Sequence, residues 1–382
     1  MKQVYITGSS LICTLGNDKF QSIKNAQKIN NSNYKDFCQD NHDGYTFFKI
    51  NQTFQNEKEK FYTLLNNSIS QAIEDSKLSK EEQKELHIFI GSTCMSISIN
   101  EEQSQLYYNN QSTKMLEEIG YGNIGTFAEN IVNSKHKATL LQTACTSTAN
   151  SLAYASELIQ ENKIKRALII GIELFNKSTY KGFESLMLLS KTGIYKPFDK
   201  ESDGLILGES CSAIVLDSRK NDNSCFEVIS SNTSFDNYSI TGSNPSGETT
   251  SNSMQKALKK ANLTPKELTC IKAHATGSEN SNLSEAKAID NLFKFYNETT
   301  NVVILKPFLG HTLGACGTSE IVLLCEFIKE GFIPKTLNYQ NGYEDISFKP
   351  LLANKPVSNA TILFQFIGFG GSNTTLILSN KG

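Results

Sequence analysis

The 382-residue sequence holds no apolar run near the length that crosses a membrane, and no surplus of charge of either sign. A spanning helix needs about 20 mostly apolar residues, so no membrane insertion is expected. Lys plus Arg number 37 against 39 for Asp plus Glu, a formal net charge of −2, which gives no electrostatic argument for nucleic acid or a membrane surface. Met1 to Gly8 runs straight into a strand-like segment, without the apolar region of a signal peptide. Nine cysteines stand at positions 13, 38, 94, 145, 211, 225, 270, 316 and 325, and none forms a Cys-x-x-Cys pair. With an odd count and no dense small-scaffold spacing, reduced thiols in a cytoplasm are expected. Only five histidines occur, none within ligand spacing of a cysteine pair, so no metal site is expected. No short-period repeat is visible, although a duplicated half would escape inspection of one sequence.

What is present is a globular composition, 38% hydrophobic and 20% charged, long enough for one large or two medium domains. Short apolar, β-branched runs predict strands at 4–6, 86–90, 138–141, 167–172 and 211–216, then at 225–229, 268–273, 302–305, 361–366 and 375–378. Helical spacing falls between them at 57–76, 146–160, 252–261, 283–295 and 318–329. Strands alternating with helices predict an α/β protein with buried parallel or mixed sheets. The polar stretch 217–224 breaks the pattern and divides the chain into halves of 1–220 and 221–382.

Four segments carry chemistry. In the first, an apolar run ends at Cys145, and small helix-compatible residues follow at once. Cys145 is therefore expected at a helix N-terminus, beside unpaired N–H groups that favour the thiolate. A free cysteine is more often just a small buried residue, and position alone does not decide between the two. The second segment, Ala273-His274-Ala275-Thr276-Gly277-Ser278, follows one strand; the third, Lys306 to Glu320 with His311 inside it, follows another. A lone histidine after a strand is usually structural. Two of them in Gly- and Thr-rich turns, in a chain with a helix-start cysteine, point to a site at strand ends. The fourth segment, Gly368-Phe369-Gly370-Gly371, reads either as a hairpin or as a turn whose backbone approaches a ligand closely.

These segments, with Thr143-Ala144-Cys145 and the stretch from Lys196 through Asp203-Gly204 to Gly208-Glu209, run in one order along almost the whole chain. In that order the sequence resembles the elongating β-ketoacyl-acyl-carrier-protein synthases, condensing enzymes of the thiolase superfamily. The resemblance implies a thiolase-like α/β fold, with two similar halves stacked as five layers (αβαβα). The first half would carry the nucleophile and the second the two histidines. It implies acyl transfer to Cys145, then decarboxylative Claisen condensation with a malonyl-carrier thioester. The growing fatty-acid or polyketide-like chain gains two carbons.

By the same resemblance, His274 and His311 stabilise the enolate as neutral imidazoles, and the backbone N–H groups of Cys145 and Phe369 form the oxyanion hole. Lys306, supported by Glu320, tunes the site or forms a structural ion pair. Thr241, Thr276, Ser278, Ile367, Gly368 and Gly370 are the implied substrate-binding residues. Asp203, Gly204, Gly208, Glu209 and Glu285 are read as structural, and Cys316 stands where alanine is usual. No cofactor is implied beyond the phosphopantetheine of the carrier. The implied partners are an acyl carrier protein and a second copy or a related ketosynthase-like chain, with no nucleic acid and no membrane. An acidic carrier predicts a basic entrance, for which Lys58, Lys60 and Lys196 are candidates.

His311 in place of asparagine argues against a chain-initiating synthase, and the absence of cysteine from the final turn argues against a thiolase. The remaining alternative is a non-catalytic, chain-length-controlling partner subunit, which the presence of Cys145, His274 and His311 disfavours. Ile367 stands where an aromatic gate is expected, and 127–137 is shorter than usual. Both departures bear on which acyl chains fit, and suggest unusual ones such as polyene or aryl-primed chains.

Overall fold

The computed structural model describes residues 2–381 except 39, 43–44, 119 and 223–225. Residues 223–225, which include the end of the expected junction and the start of one expected strand, lie outside the described residues. Ten strands form the main sheet: β1 (Tyr5–Cys13), β2 (His87–Gly91), β3 (Thr139–Leu141), β4 (Arg166–Glu173), β5 (Ser210–Asp217), β6 (Phe226–Phe235), β7 (Cys270–Lys272), β8 (Asn301–Val303), β9 (Thr361–Ile367) and β10 (Ser372–Ser379). Their order is β8-β7-β9-β10-β6-β1-β5-β4-β2-β3.

That order contains one pattern twice. In the first half, β1 pairs antiparallel with β5, β5 antiparallel with β4, β4 parallel with β2, and β2 parallel with β3. In the second half, β6, β10, β9, β7 and β8 repeat the same pairings in the same senses. Among the described residues the two five-stranded units pair where Tyr5 and Ile6 of β1 face Glu227 and Phe226 of β6, and the Val228 N–H donates to the Val4 carbonyl at 2.8 Å beside them. The repeat is a property of topology, invisible to residue-by-residue inspection.

Helices separate and cover the two units. Helix α1 (Glu57–Ser76) packs on β1 and β5, and α3 (Glu248–Ala261), with α4 (Glu279–Tyr296) beside it, packs on β6 and β10. Between the units lie α2 (Ser147–Gln160) and α5 (Cys316–Lys329), in contact with one another. Helix α5 is buried at every residue from Cys316 to Ile328, as expected of a helix enclosed on all sides. The two central helices come unusually close: a Cβ at Gly317 would sit 2.4 Å from the backbone nitrogen of Ala149. This is the expected α/β fold of two similar halves in five layers.

Local sequence explains the elements. Asn56 caps α1 by accepting from the Glu59 N–H at 2.8 Å, and Glu57 and Glu59 complement the helix dipole. Strands β4 and β5 are buried at all eight positions, so they read as continuous apolar runs instead of alternating ones. Among the described residues, four helices of eight residues or more escape the sequence reading: Lys19–Ala26, Ile97–Tyr108, Gly122–Val132 and Lys177–Ser185. The last buries only Tyr180, so it shows no apolar stripe to find. Among the described residues no helix is long and apolar enough to cross a membrane.

Candidate active site

Cys145 lies four residues past β3, on a tight turn into α2. Ala144 just before it adopts φ 51°, a left-handed conformation that non-glycine residues seldom take. The turn is tied internally: Thr146 Oγ1 donates to the Thr143 carbonyl at 2.7 Å, and the Thr143 N–H to Ser147 Oγ at 2.9 Å. Asn150 Nδ2 donates to Thr143 Oγ1 at 2.8 Å, and Thr146 Oγ1 reaches Ser372 Oγ of the other half at 2.7 Å. The nucleophile's turn is thus fixed to β10 as well as to its own helix.

The expected convergence across the halves is present. His311 Nε2 stands 3.2 Å from Cys145 Sγ. The His274 ring lies edge-on to that of His311, with centroids 5.2 Å apart and planes at 84°. Neither ring nitrogen of His274 has a protein partner, and all three side chains are buried. Backbone bonds aim the rings: the His311 N–H donates to the Ile206 carbonyl at 2.7 Å, and Glu285 accepts from the N–H groups of His274 and Ala275, each at 2.6 Å. Glu285 therefore has the structural part expected of it.

The electrostatics correct one expectation. Burial pushes the Cys145 thiol up to about 12, and the Lys306 ammonium and the backbone N–H groups of Phe369 and Cys145 only partly oppose it. Desolvation of the anion outweighs the helix terminus, so the Cys145 side chain rests as a thiol rather than a thiolate. Both histidines are held well below their ordinary range, first by burial and then by the Lys306 charge. Both are neutral imidazoles.

Behind the rings lies a buried ion cluster. Lys306 pairs with one carboxylate oxygen of Glu320, and Lys272 Nζ lies 2.5 Å from the other. All three side chains are fully buried. Cys316 Sγ donates to the Cys145 carbonyl at 3.0 Å, tying the start of α5 to the nucleophile.

A narrow, partly open cleft of about 40 Å³ leads to the sulfur. Thr241, Thr276, Ser278, Ile367 and Gly368 line it, together with Phe369, Phe183, Leu188 and Leu205. Phe183 stacks on Phe369 at 5.6 Å between centroids. Gly370 departs from expectation: it faces solvent outside the cleft lining, and its N–H donates to the Ile240 carbonyl at 2.6 Å. It shapes the turn and does not line the binding surface.

The basic entrance is not found at the expected lysines. Lys60 is buried on Glu209 at 2.5 Å, Lys58 pairs with Glu117 at 2.5 Å, and Lys196 pairs with Glu201 at 3.0 Å. The motif at 203–209 is structural. Asp203 accepts from the Lys191 and Thr192 N–H groups at 3.0 and 2.8 Å, and a Cβ at Gly208 would lie 2.1 Å from the Leu309 carbonyl oxygen. Two buried residues at the site were missed. Glu173 accepts from the Gly314 N–H at 3.1 Å, and Lys272 ends β7. A lysine inside an apolar strand was the available signal for Lys272; nothing in the local sequence marks Glu173.

Comparison with known proteins agrees with this geometry. The family model for the β-ketoacyl synthase N-terminal domain matches residues 3–222, more than half of the chain, and that for the C-terminal domain matches 225–340. A 3-oxoacyl-[acyl-carrier-protein] synthase 2 of Coxiella burnetii is 30% identical over 250 residues, covering 62% of this chain and 60% of that protein. A putative mitochondrial 3-oxoacyl-[acyl-carrier-protein] synthase of Schizosaccharomyces pombe is 31% identical over 255 residues, covering 61% of this chain and 59% of its own length. The match thus spans about three fifths of these curated relatives.

Among solved structures, a type II polyketide ketosynthase in complex with its acyl-carrier protein superposes with a TM-score of 0.87 at 17% identity, covering 99% of this chain and 98% of its own. A β-ketoacyl synthase from Burkholderia phymatum gives 0.82 at 21% identity, covering 99% of both chains. A ketosynthase from Xenorhabdus doucetiae, solved with its chain length factor, gives 0.83 at 20% identity, covering 99% of this chain and 98% of its own. With both domain models matched in order around a cysteine and two imidazoles, this chain belongs to the β-ketoacyl synthase family.

Proposed function

We propose that the chain is a condensing β-ketoacyl synthase. Residues 1–220 supply the nucleophile and residues 221–382 the groups that stabilise negative charge. The observation that carries this reading is the 3.2 Å approach of His311 Nε2 to Cys145 Sγ at the end of a cleft. In the first step Cys145 attacks an acyl thioester on a carrier's pantetheine arm. The carbon–sulfur bond to the arm breaks, the acyl group passes to Cys145, and the thiol proton leaves with the departing pantetheine sulfur. The backbone N–H groups of Cys145 and Phe369 hold the tetrahedral oxyanion.

In the second step a malonyl-carrier thioester loses carbon dioxide. The electron pair of the broken bond forms an enolate, and His274 and His311 donate Nε2–H to its oxygen. The enolate carbon attacks the acyl-cysteine, expelling the Cys145 sulfur, which takes up one proton. The product is a β-ketoacyl-carrier two carbons longer. Thr241, Thr276 and Ser278 line the route of the arm, and Ile367 and Gly368 flank its end. The chemistry is carried by a thiol, two imidazoles and backbone N–H groups, and calls for no further cofactor.

An acyl carrier protein is the proposed partner, together with a second ketosynthase-like chain. Strand β3 ends the sheet order with its outer edge unpaired in the ladder, and Tyr154, Leu106 and Tyr108 are exposed on the same half. The seven cysteines whose side chains are described are all buried thiols, which suits a cytoplasmic setting. Ile367 in place of an aromatic gate supports unusual acyl groups, polyene or aryl-primed chains among them. Intact-mass measurement after incubation with acyl-carrier proteins tests the reading. An acyl adduct should appear on the native chain and be absent in Cys145→Ala; a native chain that never acquires one refutes it. A preference for ordinary saturated medium chains would sink the substrate assignment alone.

A further inference from the structure

The buried ion cluster behind the two imidazoles contains a lysine that the reaction scheme does not use. Lys272, the last residue of β7, is fully buried two positions before His274. Its ammonium lies 2.5 Å from Glu320 Oε2 and 3.7 Å from the centroid of the Phe366 ring, while Lys306 holds the other oxygen of the same carboxylate. Glu285, also buried, completes the set through its bonds to the His274 and Ala275 N–H groups. Within this group two ammoniums and two carboxylates sum to zero, and the buried Glu173 stands apart from it, on the N–H of Gly314. A single lysine against two carboxylates would leave the group at net −1, beside the place where the enolate must develop its own negative charge. One unpaired charge acting over about 10 Å of protein interior changes an anionic transition state by roughly tenfold or more in rate.

We propose that Lys272 is a positioning residue for the condensation, neutralising the Glu320–Glu285 pair so that a negative charge can form against His274 and His311. The inference rests on the proposed function. Phe366 shares in the arrangement: its ring face, turned onto the ammonium, offsets part of the desolvation of a second buried cation. Lys272 touches neither the cleft nor the sulfur, so its influence is electrostatic and falls on the decarboxylation. The acylation oxyanion, held by the N–H groups of Cys145 and Phe369, should feel it less.

Two variants separate charge from packing. Lys272→Met keeps the length of the side chain without the charge, and Lys272→Gln keeps an N–H donor for Glu320, also without the charge. Each is assayed for acylation of Cys145 by intact mass, for carbon dioxide release from a malonyl-carrier, and for thermal unfolding. Both variants should release carbon dioxide about tenfold more slowly, with acylation changed less than threefold and the KM for the malonyl-carrier unchanged. A Gln variant with native turnover, or equal loss of both steps in proportion to lost stability, would overturn the inference and leave the proposed function standing. A native protein that neither acylates nor decarboxylates would instead overturn the proposed function, and this inference with it.

Discussion

The two halves share a topology and differ in what they place after their third strand. In the first half, three residues separate β3 from Cys145, and α2 begins two residues after it. In the second half, β8 is followed by a buried stretch from 304 to 315, carrying Lys306 and His311, before α5 begins. In the proposed reaction, one frame presents a tight turn that offers an atom for bonding, and the other an enlarged turn that offers charge stabilisation. Two copies of one topology can thus divide labour: the short connection fixes the cysteine proposed as nucleophile, and the long one has room for a cation and an imidazole behind it.

Substitutions on the two sides should break this comparison in different ways. The largest effect is expected from His274→Ala and His311→Ala, which should slow carbon dioxide release from a malonyl-carrier roughly 100- to 1000-fold, the scale for one lost oxyanion donor. Transfer of an acyl group to Cys145 should fall less; equal collapse of both steps would contradict the division. Gly208→Ala comes next. Its Cβ would drive into the Leu309 carbonyl at 2.1 Å, displacing the turn that carries His311, at a cost of about 1–3 kcal/mol in denaturant unfolding.

The pH response of the nucleophile sharpens the contrast. With the resting thiol pushed up to about 12, its alkylation by iodoacetamide should climb roughly tenfold per pH unit from about pH 7 to 10, because only the thiolate reacts. A plateau near pH 9 would mean that the helix terminus prevails over burial. The smallest effect is expected from Phe183→Ala. Loss of its stack on Phe369 should weaken carrier-substrate binding by about 0.5–1.5 kcal/mol, read as a higher KM with kcat little changed.

Much of this arrangement could be read from the sequence, and for identifiable reasons. Cys145, His274 and His311 stand in short motifs whose residue types suit one chemistry, so their convergence was foreseeable. The strands were found because burial on both faces makes continuous apolar runs, and α1 was found whole because its cap and stripe agree. What escaped depends on distances that local sequence does not encode. Lys60 looked like a solvated surface lysine until folding placed Glu209 beside it. Gly370 looked like its neighbour Gly368, yet the turn points one inward and the other outward. The thiol's protonation depended on how deeply the fold would bury it, which a helix-start pattern cannot reveal.

Among the described residues the sheet units share only a short seam at Val4–Ile6 and Phe226–Val228, too small a contact to set the span from sulfur to imidazole by itself. That span is gauged by the near-contact of two helix backbones at Gly317, directly past the loop bearing His311 and two residues into α5. A single methyl group there, with no catalytic atom altered, would act as a spacer. It would prise the reactive pair apart, and would make turnover answer to the thickness of the middle layer.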